Sequence, residues 1–515
     1  MSSSPLFPWL KQRTAGLLLH PTALPSSTGI GNFGPAAYAL VDFLADCQIR
    51  NWQMCPLGPT GFGDSPYQCF SAFAGNPYLI DLTPLVEAGL LKTEELAPLE
   101  ALPTDHTDYG ALYESFWPVI NRACQRFHKQ HSSLPQYGSY ASFCKAEAFW
   151  LDGYAAFQAL KQHHEGQPWY LWPEEQRSYR QADESGILKK LANAIQDQCF
   201  LQYVFYGQWR ELRTYANRKG IAIIGDIPIF VARDSADVWT HPELFALDAE
   251  LQPTEVAGVP PDYFSSTGQL WGNPLYNWDK LKATGYTWWM ERFAANFALF
   301  DIVRLDHFRG FYDYWAIPAD APDARAGTWK PGPGLAFFEA LKKRFPQAKI
   351  IAEDLGEIND GVRQLRKDTG LPGMAILHFA FGSGSDNLYL PHNVEPNCVI
   401  YPGTHDNDTS QGWYRSAPPN IQDEFRRYFR CNGENAHWDM IQGAYKSVCK
   451  LAVVSLQDVM GLGSEARFNT PGHPAGNWQW RYSADTLESL RLQVRDHFRE
   501  LAAQSGREGP KPTTQ

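Results

Sequence analysis

The sequence lacks the features that would place the protein in a membrane, outside the cell or around a metal ion. No run of about 18 or more apolar residues occurs, which excludes a membrane-spanning helix. Residues 1–13 lack the apolar core of a secretory signal, so we expect no export. The nine cysteines form no C-x-x-C pair, which predicts neither a disulfide framework nor a zinc site. We therefore expect reduced thiols and a cytoplasmic location, with a processed organelle form as the alternative.

Positive charge is also in short supply. The 45 lysines and arginines are outnumbered by 56 aspartates and glutamates, which gives a formal net charge of -11. Nucleic acid and anionic lipid both require clustered positive charge, so we expect no nucleic acid and no membrane as a partner. Aromatic residues are abundant instead, at 14%. Because the C–H faces of sugar rings pack against aromatic rings, this surplus fits a carbohydrate cleft, although a large core would also account for it.

Eight short segments are apolar on both faces and bounded by Gly, Pro or Asn, as in a covered parallel sheet. They are residues 17–20, 52–57, 221–227, 302–306, 350–353, 375–379, 399–401 and 453–459. Stretches with helical spacing lie between them, for example 36–44 and 334–344. This alternation is typical of a (β/α)8 TIM barrel, and the count of eight favours that fold over a doubly wound open sheet. We expect a single catalytic barrel over residues 1–503 and a disordered polar tail at 504–515.

Two intervals between predicted strands are too long for simple βα units and predict insertions. Residues 88–215, between the second and third strands, should form a mostly helical subdomain, because apolar residues recur there at helical spacing: Leu201, Val204, Phe205 and Leu212. Residues 232–298, between the third and fourth strands, should carry an active-site lid. The lid is expected at 253–274, where Gly and Pro predict a loop rather than a helix.

An acidic residue stands at the end of the fourth, fifth and seventh predicted strands. These residues are Asp306, Glu353 and Asp406. Because the C-terminal ends of barrel strands meet at one pocket, the three acids should become neighbours. Each acid alone could instead cap a helix or form an ion pair, which is the expectation for Asp354. Three acids at matching positions favour a functional site, with Arg304 on the same strand face as Asp306 and able to keep it ionised.

Paired carboxyl groups suit the cleavage of a glycosidic bond. One protonates the leaving oxygen, and the other attacks or stabilises the anomeric carbon.

Two other motifs give weaker evidence for a function. The G-x-G-x-x-G match at 29–34 does not directly follow a strand and is not followed by the required acid, so we expect no dinucleotide site. His163 and His164 lack metal-ligand spacing, and no metal is expected.

The motifs of the chain resemble those of the 4-α-glucanotransferases, also called amylomaltases or disproportionating enzymes, which are related to the α-amylase group. The resemblance covers nearly the whole chain, with motifs in order at 20–22, 63–67, 225–228, 260–274, 304–307, 352–356, 403–407 and 467–472. The Arg-x-Asp element at 304–306 alone would indicate only a relative of the α-amylases. The ordered set is therefore what points to this family.

The resemblance implies a retaining transferase that needs no cofactor. Asp306 would be the nucleophile, Glu353 the general acid/base, and Asp406 the residue that grips the donor sugar. The implied substrate-binding residues fall into three groups. Those around the reacting sugar are Tyr67, Asp226, Arg304 and His405; those at the next donor sugar are Ser65 and Asn469; those on the acceptor side are Gln269, Trp271, His307 and Phe379.

The implied reaction moves an α-1,4-glucan segment from a donor to the 4-hydroxyl of an acceptor glucan or glucose. The expected partners are therefore α-1,4-glucans and maltooligosaccharides, and the choice between monomer and homodimer stays open. A lid carrying Tyr263, Phe264 and Trp271 would exclude water and favour transfer. Two other functions are also open: an α-glucan hydrolase that uses the same carboxylates, and a non-catalytic glucan-binding protein.

Overall fold

A barrel of parallel strands forms the centre of the computed structural model, which describes residues 4–130, 133–261, 265–356, 358–473 and 475–508. The strands within these ranges are β1 (Thr14–Leu18), β2 (Asn51–Gln53), β3 (Ala222–Ile227), β4 (Glu255–Val259), β5 (Gln269–Pro274), β6 (Ile302–Leu305), β7 (Asp313–Pro318), β8 (Thr328–Pro331), β9 (Ile350–Ala352), β10 (Gly373–Ile376), β11 (Cys398–Tyr401) and β12 (Leu451–Ser455).

One sheet contains eight of the described strands, all parallel, in the order β10-β11-β12-β1-β2-β3-β6-β9. Its two edge strands approach each other, because the amide of Ala352 in β9 donates to the carbonyl of Pro372, just before β10, at 2.9 Å. The sheet is thus a nearly closed (β/α)8 barrel, and the predicted fold is confirmed.

The barrel strands are apolar on both faces because both faces are buried. Ile223 and Ile224 are neighbours in β3, yet they pack into two different hydrophobic clusters. Ile350 and Ile351 in β9 divide between the same two clusters. Successive side chains of a strand point to opposite faces, so one face lines the barrel interior and the other packs against the surrounding helices.

Each of the eight predicted apolar runs overlaps a barrel strand. Several runs extend past the strand into the turn that follows it. In the eighth run, residues after Ser455 form a helical turn, because the Ser455 hydroxyl accepts the Asp458 amide at 3.1 Å and caps it. In the fourth and fifth runs, Asp306 and Glu353 lie one residue beyond β6 and β9. The predicted acids therefore stand in the loops at the C-terminal mouth of the barrel.

Helices surround the barrel. The described helices are α1 (Pro35–Asp46), α2 (Thr83–Glu87), α3 (Ala97–Glu100), α4 (Tyr109–Gln130), α5 (Tyr140–Ala146), α6 (Ala148–His163), α7 (Tyr179–Glu184), α8 (Ile187–Lys190), α9 (Ala192–Arg218), α10 (Ala236–Thr240), α11 (Trp278–Ala283), α12 (Thr287–Leu299), α13 (Leu335–Arg344), α14 (Asp360–Thr369), α15 (Ser410–Ser416), α16 (Pro419–Phe429), α17 (Ala436–Lys446), α18 (Leu456–Val459) and α19 (Thr486–Ser505). No helix in the described part of the chain combines the length and the apolar character needed to cross a membrane.

The long interval between β2 and β3 holds α2 to α9 and no described strand. Its longest helix, α9, buries the four apolar residues that predicted it: Leu201, Val204, Phe205 and Leu212. The predicted helices at 36–44 and 334–344 correspond to α1 and α13. The division of the chain at 88–215 stays a prediction.

The segment at 253–274, predicted to be a loop, contains two strands, β4 and β5. β4 and β5 pair as an antiparallel hairpin, and β4 also pairs with β7, which in turn pairs with β8. These strands form a second, four-stranded sheet. The loop prediction was wrong because β4 gains its partner β7 from residues about 60 positions away, a pairing with no local signal. Tyr263 and Phe264 lie outside the described residues.

Residues 504–508, the first part of the tail predicted to be disordered, are ordered. Gln504 and Ser505 belong to α19, and Arg507 is fully buried. The Arg507 guanidinium donates to the carbonyls of Tyr445, Cys449 and Thr14 at 2.9, 2.7 and 3.0 Å. One arginine thus satisfies carbonyls from two distant parts of the chain and keeps residues 504–508 ordered, although their composition predicts disorder. Residues 509–515 lie outside the described part.

Candidate active site

A cleft of about 570 Å³ opens at the C-terminal mouth of the barrel. All the predicted site residues except Asp226 line it. They are Ser65, Tyr67, Gln269, Trp271, Arg304, Asp306, His307, Glu353, Phe379, His405, Asp406 and Asn469. Barrel topology explains why they meet, because loops after β2, β3, β6, β9, β10, β11 and β12 all emerge at this end.

Arg304 joins the carboxylates of Asp306 and Asp226. Its Nη1 lies 2.9 Å from Oδ1 of Asp306 and 2.6 Å from Oδ2 of Asp226. The same Asp226 oxygen accepts the Tyr67 hydroxyl at 2.9 Å. Asp226 and Arg304 are register partners on the neighbouring strands β3 and β6. The side chains of Arg304 and Asp226 are only 5% and 1% exposed, so this ion pair is shielded from water.

Asp226 belongs to the site without lining the cleft. Burial raises its pKa to about 6, although Arg304 acts in the opposite direction. Its second oxygen, Oδ1, is buried and has no hydrogen-bond partner among the described residues. Tyr67 lies between Asp226 and the cleft, and its ring stacks on His405 with centroids 5.1 Å apart. Asp226 therefore acts on the cleft through Tyr67 and Arg304.

Glu353 is held by the backbone on both of its oxygens. Oε2 accepts the amide of His307 at 2.7 Å, and Oε1 accepts the amide of Leu355 at 2.9 Å. Burial, with a contribution from the charge of Asp306, raises the pKa of Glu353 to about 7. A carboxyl group with this pKa exchanges a proton readily near neutral pH.

His307 adopts a left-handed backbone conformation, with φ of 50°. Such a conformation is strained for a non-glycine residue and is often found at functional sites. It turns the chain sharply after Asp306 and brings the His307 amide to Glu353. The turn after β6 thus positions Asp306 and Glu353 together.

The pKa of Asp406 is lowered, whereas that of Glu353 is raised. Burial acts to raise its pKa, but His405 and Asn469 outweigh burial and lower the pKa to about 2. Nε2 of His405 lies 3.3 Å from Oδ2, and the Asn469 amide donates to Oδ1 at 2.6 Å. Arg467 also donates to the Asp406 carbonyl at 2.8 Å. Asp406 is therefore ionised and fixed at the side of the cleft formed by the loop after β12.

Gln269 and Trp271 reach the cleft from β5, at the edge of the second sheet. The Trp271 indole donates to Oε1 of Gln269 at 3.1 Å, and its ring meets His307 edge-on with centroids 4.9 Å apart. Nε2 of His307 is buried and has no hydrogen-bond partner within the described ranges. Phe379 approaches from the turn after β10. Trp271 thus contacts His307, whose amide binds Glu353.

Asp354, the neighbour of Glu353, does not enter the cleft. Its Oδ2 forms an ion pair with Nε of Arg366 at 2.9 Å, and its Oδ1 accepts the Met374 amide at 2.8 Å. The ion pair was one of the two structural roles expected for this residue. Two adjacent acids thus have separate roles because only Glu353 faces the barrel mouth.

Sequence reasoning missed several residues that line the cleft. Trp478 follows the motif at 467–472, and its ring lies 6.0 Å from that of His405. Arg309 and Trp329 also line the cleft. Arg309 was detectable, since it lies three residues after Asp306. Trp329 gave no signal, because a single tryptophan in a short edge strand looks like a core residue.

No group of three or more His, Cys, Asp or Glu side chains in the described ranges has the arrangement of a metal site. The polar groups of the cleft are instead carboxylates, histidines, amides, hydroxyls and two guanidinium groups, interleaved with aromatic rings. Planar hydrophobic faces beside hydrogen-bonding groups match the two kinds of surface that a sugar ring presents.

Comparison with known proteins gives the same picture. Residues 19–487 match the family model described as 4-alpha-glucanotransferase, glycoside hydrolase family 77. The chain is 48% identical over 482 residues to the 4-alpha-glucanotransferase of Thermus thermophilus, covering 91% of this chain and 94% of the relative. It is 46% identical over 483 residues to that of Synechocystis, covering 93% and 95%.

A solved structure is similar along almost its whole length. The amylomaltase from Streptococcus agalactiae, in complex with acarbose, superposes with a TM-score of 0.91 at 38% identity, covering 96% of this chain and 100% of that one. The range matched by the family model includes every barrel strand after β1 and the three acids Asp306, Glu353 and Asp406. The chain therefore belongs to the 4-alpha-glucanotransferase family.

Proposed function

We propose that the cleft transfers a segment of an α-1,4-glucan from a donor to the 4-hydroxyl of an acceptor glucan or glucose, with net retention through a covalent glucosyl-enzyme. The observation that carries this proposal is the contrast among the acids in one cleft: Asp306 held by Arg304, Glu353 with a pKa of about 7, and Asp406 ionised. Retaining transfer needs a charged nucleophile and a proton donor at the same bond.

In the first step, Glu353 gives its proton to the bridging oxygen while a carboxylate oxygen of Asp306 attacks the anomeric carbon. The glycosidic bond breaks, and the shorter glucan leaves with a free 4-hydroxyl. Arg304 keeps the Asp306 carboxylate oriented through the 2.9 Å contact. The pKa of about 7 supports Glu353 as the group that is protonated for this step and ionised afterwards.

In the second step, Glu353 acts as the base. It removes the proton from the 4-hydroxyl of the acceptor, whose oxygen attacks the anomeric carbon and releases Asp306. Two inversions at the same carbon give net retention. One α-1,4 bond replaces another, so no energy source or cofactor is required.

The donor side of the cleft is formed by the residues around Asp406. We assign this acid to the hydroxyls of the reacting sugar, because His405 and Asn469 keep it charged and fixed. A charged carboxylate is a strong hydrogen-bond acceptor for sugar hydroxyls. We assign Tyr67, stacked on His405, to the same sugar, and Ser65 and Asn469, which also line the cleft, to the next donor sugar.

We assign the acceptor side to Gln269, Trp271, His307 and Phe379, because they line the cleft and the His307 amide binds Glu353. The proton donor must face the leaving oxygen, so the leaving and entering glucans occupy the Glu353 side. The buried Nε2 of His307, unpartnered among the described residues, is available for an acceptor hydroxyl. Trp271 at the end of the β4–β5 hairpin would cover this sugar and exclude water, which favours transfer over hydrolysis.

Product analysis on maltotriose tests the proposal. Transfer yields glucose together with oligosaccharides longer than maltotriose. An α-glucan hydrolase with the same acids would yield only shorter sugars, and a non-catalytic glucan-binding protein would yield no products. Absence of longer products under conditions that release glucose would replace transfer by hydrolysis.

We further propose that the protein works in a reducing compartment such as the cytoplasm, on starch, glycogen or maltooligosaccharides. All nine cysteines are free thiols, and six of them are buried. A fold without disulfides does not need an oxidising compartment for its stability. Mass measurement after alkylation without reduction should count nine labelled cysteines in the unfolded protein purified from cells.

A further inference from the structure

Trp329 and Arg309 form an aromatic and cationic pair in the wall of the cleft. The Arg309 guanidinium carbon lies 3.6 Å from the centroid of the Trp329 ring, which is direct stacking. Both residues line the cleft that holds the three acids. Trp329 is 39% exposed, whereas Arg309 is only 9% exposed. A large aromatic ring on a short edge strand thus stays open to the cleft while its partner is buried.

The pair is fixed before any ligand binds. Nε of Arg309 donates to Asp313 at 2.7 Å, and its Nη2 donates to the second oxygen of Asp313 at 3.3 Å. Asn359 donates to that second oxygen at 3.1 Å. The edge of Trp329 meets its cross-strand partner Trp315, with centroids 5.1 Å apart. The side chains therefore lose little conformational freedom on binding, which is the property of a preformed platform.

The backbone also anchors the strand that carries Trp329. The amide of Gly332, just after β8, donates to the carbonyl of Tyr312 at 2.7 Å. A Cβ atom at Gly332 would lie 2.6 Å from the carbonyl oxygen of Gly310, so only glycine permits this close approach. β8 is thus docked on the turn that contains Arg309. The position of Trp329 relative to that turn is set by the fold and not by a mobile loop.

The chain order places this pair on the acceptor side. Asp306 is followed by His307, whose amide binds Glu353, and then by the 3₁₀ turn Phe308–Phe311 that contains Arg309. The acid/base faces the leaving and entering glucan, so the segment running on from His307 borders the acceptor. Trp329 stacks on Arg309, three residues past Asp306, whereas Trp271 contacts His307, the residue next to Asp306.

We infer that Trp329, backed by Arg309, binds a glucosyl unit of the acceptor beyond the first one. The C–H face of a glucose ring would pack on the indole, and the guanidinium on the other face would hold the ring in place. The cleft would then prefer an oligosaccharide acceptor to free glucose. This inference rests on the proposed transfer reaction, because it concerns the acceptor of that reaction.

The test separates the donor step from the acceptor step. The donor is α-maltotriosyl fluoride with its terminal 4-hydroxyl blocked, so that it cannot act as an acceptor. Fluoride release reports formation of the glucosyl-enzyme, and glucose, maltose and maltotriose are compared as acceptors. In Trp329→Ala, the ratio of kcat/KM for maltotriose to kcat/KM for glucose should fall about tenfold, the scale of one lost stacking contact. Trp329→Phe, which keeps a ring, should recover most of the ratio.

Phe149→Ala is the matched control. Phe149 is an exposed aromatic residue, 45% accessible, that does not line the cleft, and its loss should leave the ratio unchanged. If Trp329→Ala does not release fluoride, the comparison passes to Trp329→Leu, which keeps apolar bulk without a ring. An unchanged acceptor ratio in either variant, or an equal loss for glucose and maltotriose, would overturn the inference. Failure of the wild-type protein to transfer to any acceptor would instead overturn the proposed function.

Discussion

Replacing Glu353 by glutamine should isolate the acid/base role from the other roles of the cleft. The amide keeps the size of the carboxyl group but cannot deliver a proton to the leaving oxygen or remove one from the acceptor. On maltotriose we expect kcat to fall by about 100-fold to 10,000-fold, the range of general acid/base contributions. This corresponds to about 3–5 kcal/mol of lost transition-state stabilisation.

The structure predicts a second, smaller effect on stability. Glu353 accepts one backbone amide on each oxygen, from His307 at 2.7 Å and from Leu355 at 2.9 Å. Glutamine has a single carbonyl oxygen, so one of these buried N–H groups would lose its acceptor, at a cost of about 1–3 kcal/mol. Thermal unfolding must therefore be measured alongside turnover.

Asp354→Asn is the matched control for this effect. The residue is adjacent to Glu353, is partnered by Arg366 and the Met374 amide, and does not line the cleft. Its substitution breaks a shielded ion pair and should also lower the melting temperature. Unlike Glu353→Gln, it should keep the turnover of the wild-type protein at temperatures where it is folded.

An activated donor gives the decisive comparison. Fluoride leaves without being protonated, so Glu353→Gln should release fluoride from α-maltosyl fluoride far faster than it cleaves maltotriose.

The pH dependence of the wild-type protein should also differ between the two donors. Glu353 must be protonated in the first step and has a pKa of about 7, so kcat/KM for maltotriose should be retained below that pH and decline above it. With the fluoride donor, this decline should disappear.

Two results would refute this reasoning. A loss of turnover in Glu353→Gln that is equally large with both donors would mean that Glu353 does not act on the leaving group. A decline above pH 7 that persists with the fluoride donor would assign the titration to another group, such as His405, whose pKa is raised by Asp406 against the effect of burial.

Three further changes test other parts of the site and the fold. Asp306→Asn should prevent the covalent intermediate, so mass spectrometry of the protein quenched with the fluoride donor should show no added glucan; a stable adduct would remove Asp306 from the nucleophile role. Shortening residues 259–271 should raise the ratio of hydrolysis to transfer, measured as glucose against longer oligosaccharides, and an unchanged ratio would exclude this hairpin as the water barrier. Arg507→Ala should lower the free energy of unfolding by about 3 kcal/mol or more, because several buried carbonyls lose their donor. A melting temperature equal to that of the wild-type protein would show that the ordered chain end does not stabilise the barrel.

The barrel was predictable because its signal is local. A strand such as β3 is buried on both faces, so it is apolar throughout, and a run of four to seven apolar residues is visible without knowledge of its neighbours. The convergence of Asp306, Glu353 and Asp406 then follows from topology alone, since all three stand after barrel strands. The sequence therefore predicts the place of the site as well as the fold.

The second sheet and the chain end were not predictable in this way. β4 pairs with β7 across about 60 residues, and its glycine-containing sequence looks like a loop until that partner is known. Arg507 lies in a polar segment, and its order depends on carbonyls supplied by two distant parts of the chain, at Thr14 and at 445–449. In both cases the stabilising contacts come from residues distant in the sequence. Local composition carries no information about such contacts, so it predicts a loop or disorder.

The roles of the three acids could not be separated by sequence position, because each is an acid at the end of a strand. Their partners separate them. Asp306 shares a guanidinium with Asp226, Glu353 accepts two backbone amides in a buried setting, and Asp406 has a histidine and an amide. The same chemical group is thereby set for protonation near pH 7 at Glu353 and kept ionised at Asp406. Exchanging the partners of Glu353 and Asp406, without changing the acids, should therefore exchange the protonation behaviour of the two carboxyl groups. The neighbours Arg304, His405 and Asn469 thus matter for catalysis as much as the carboxylates do.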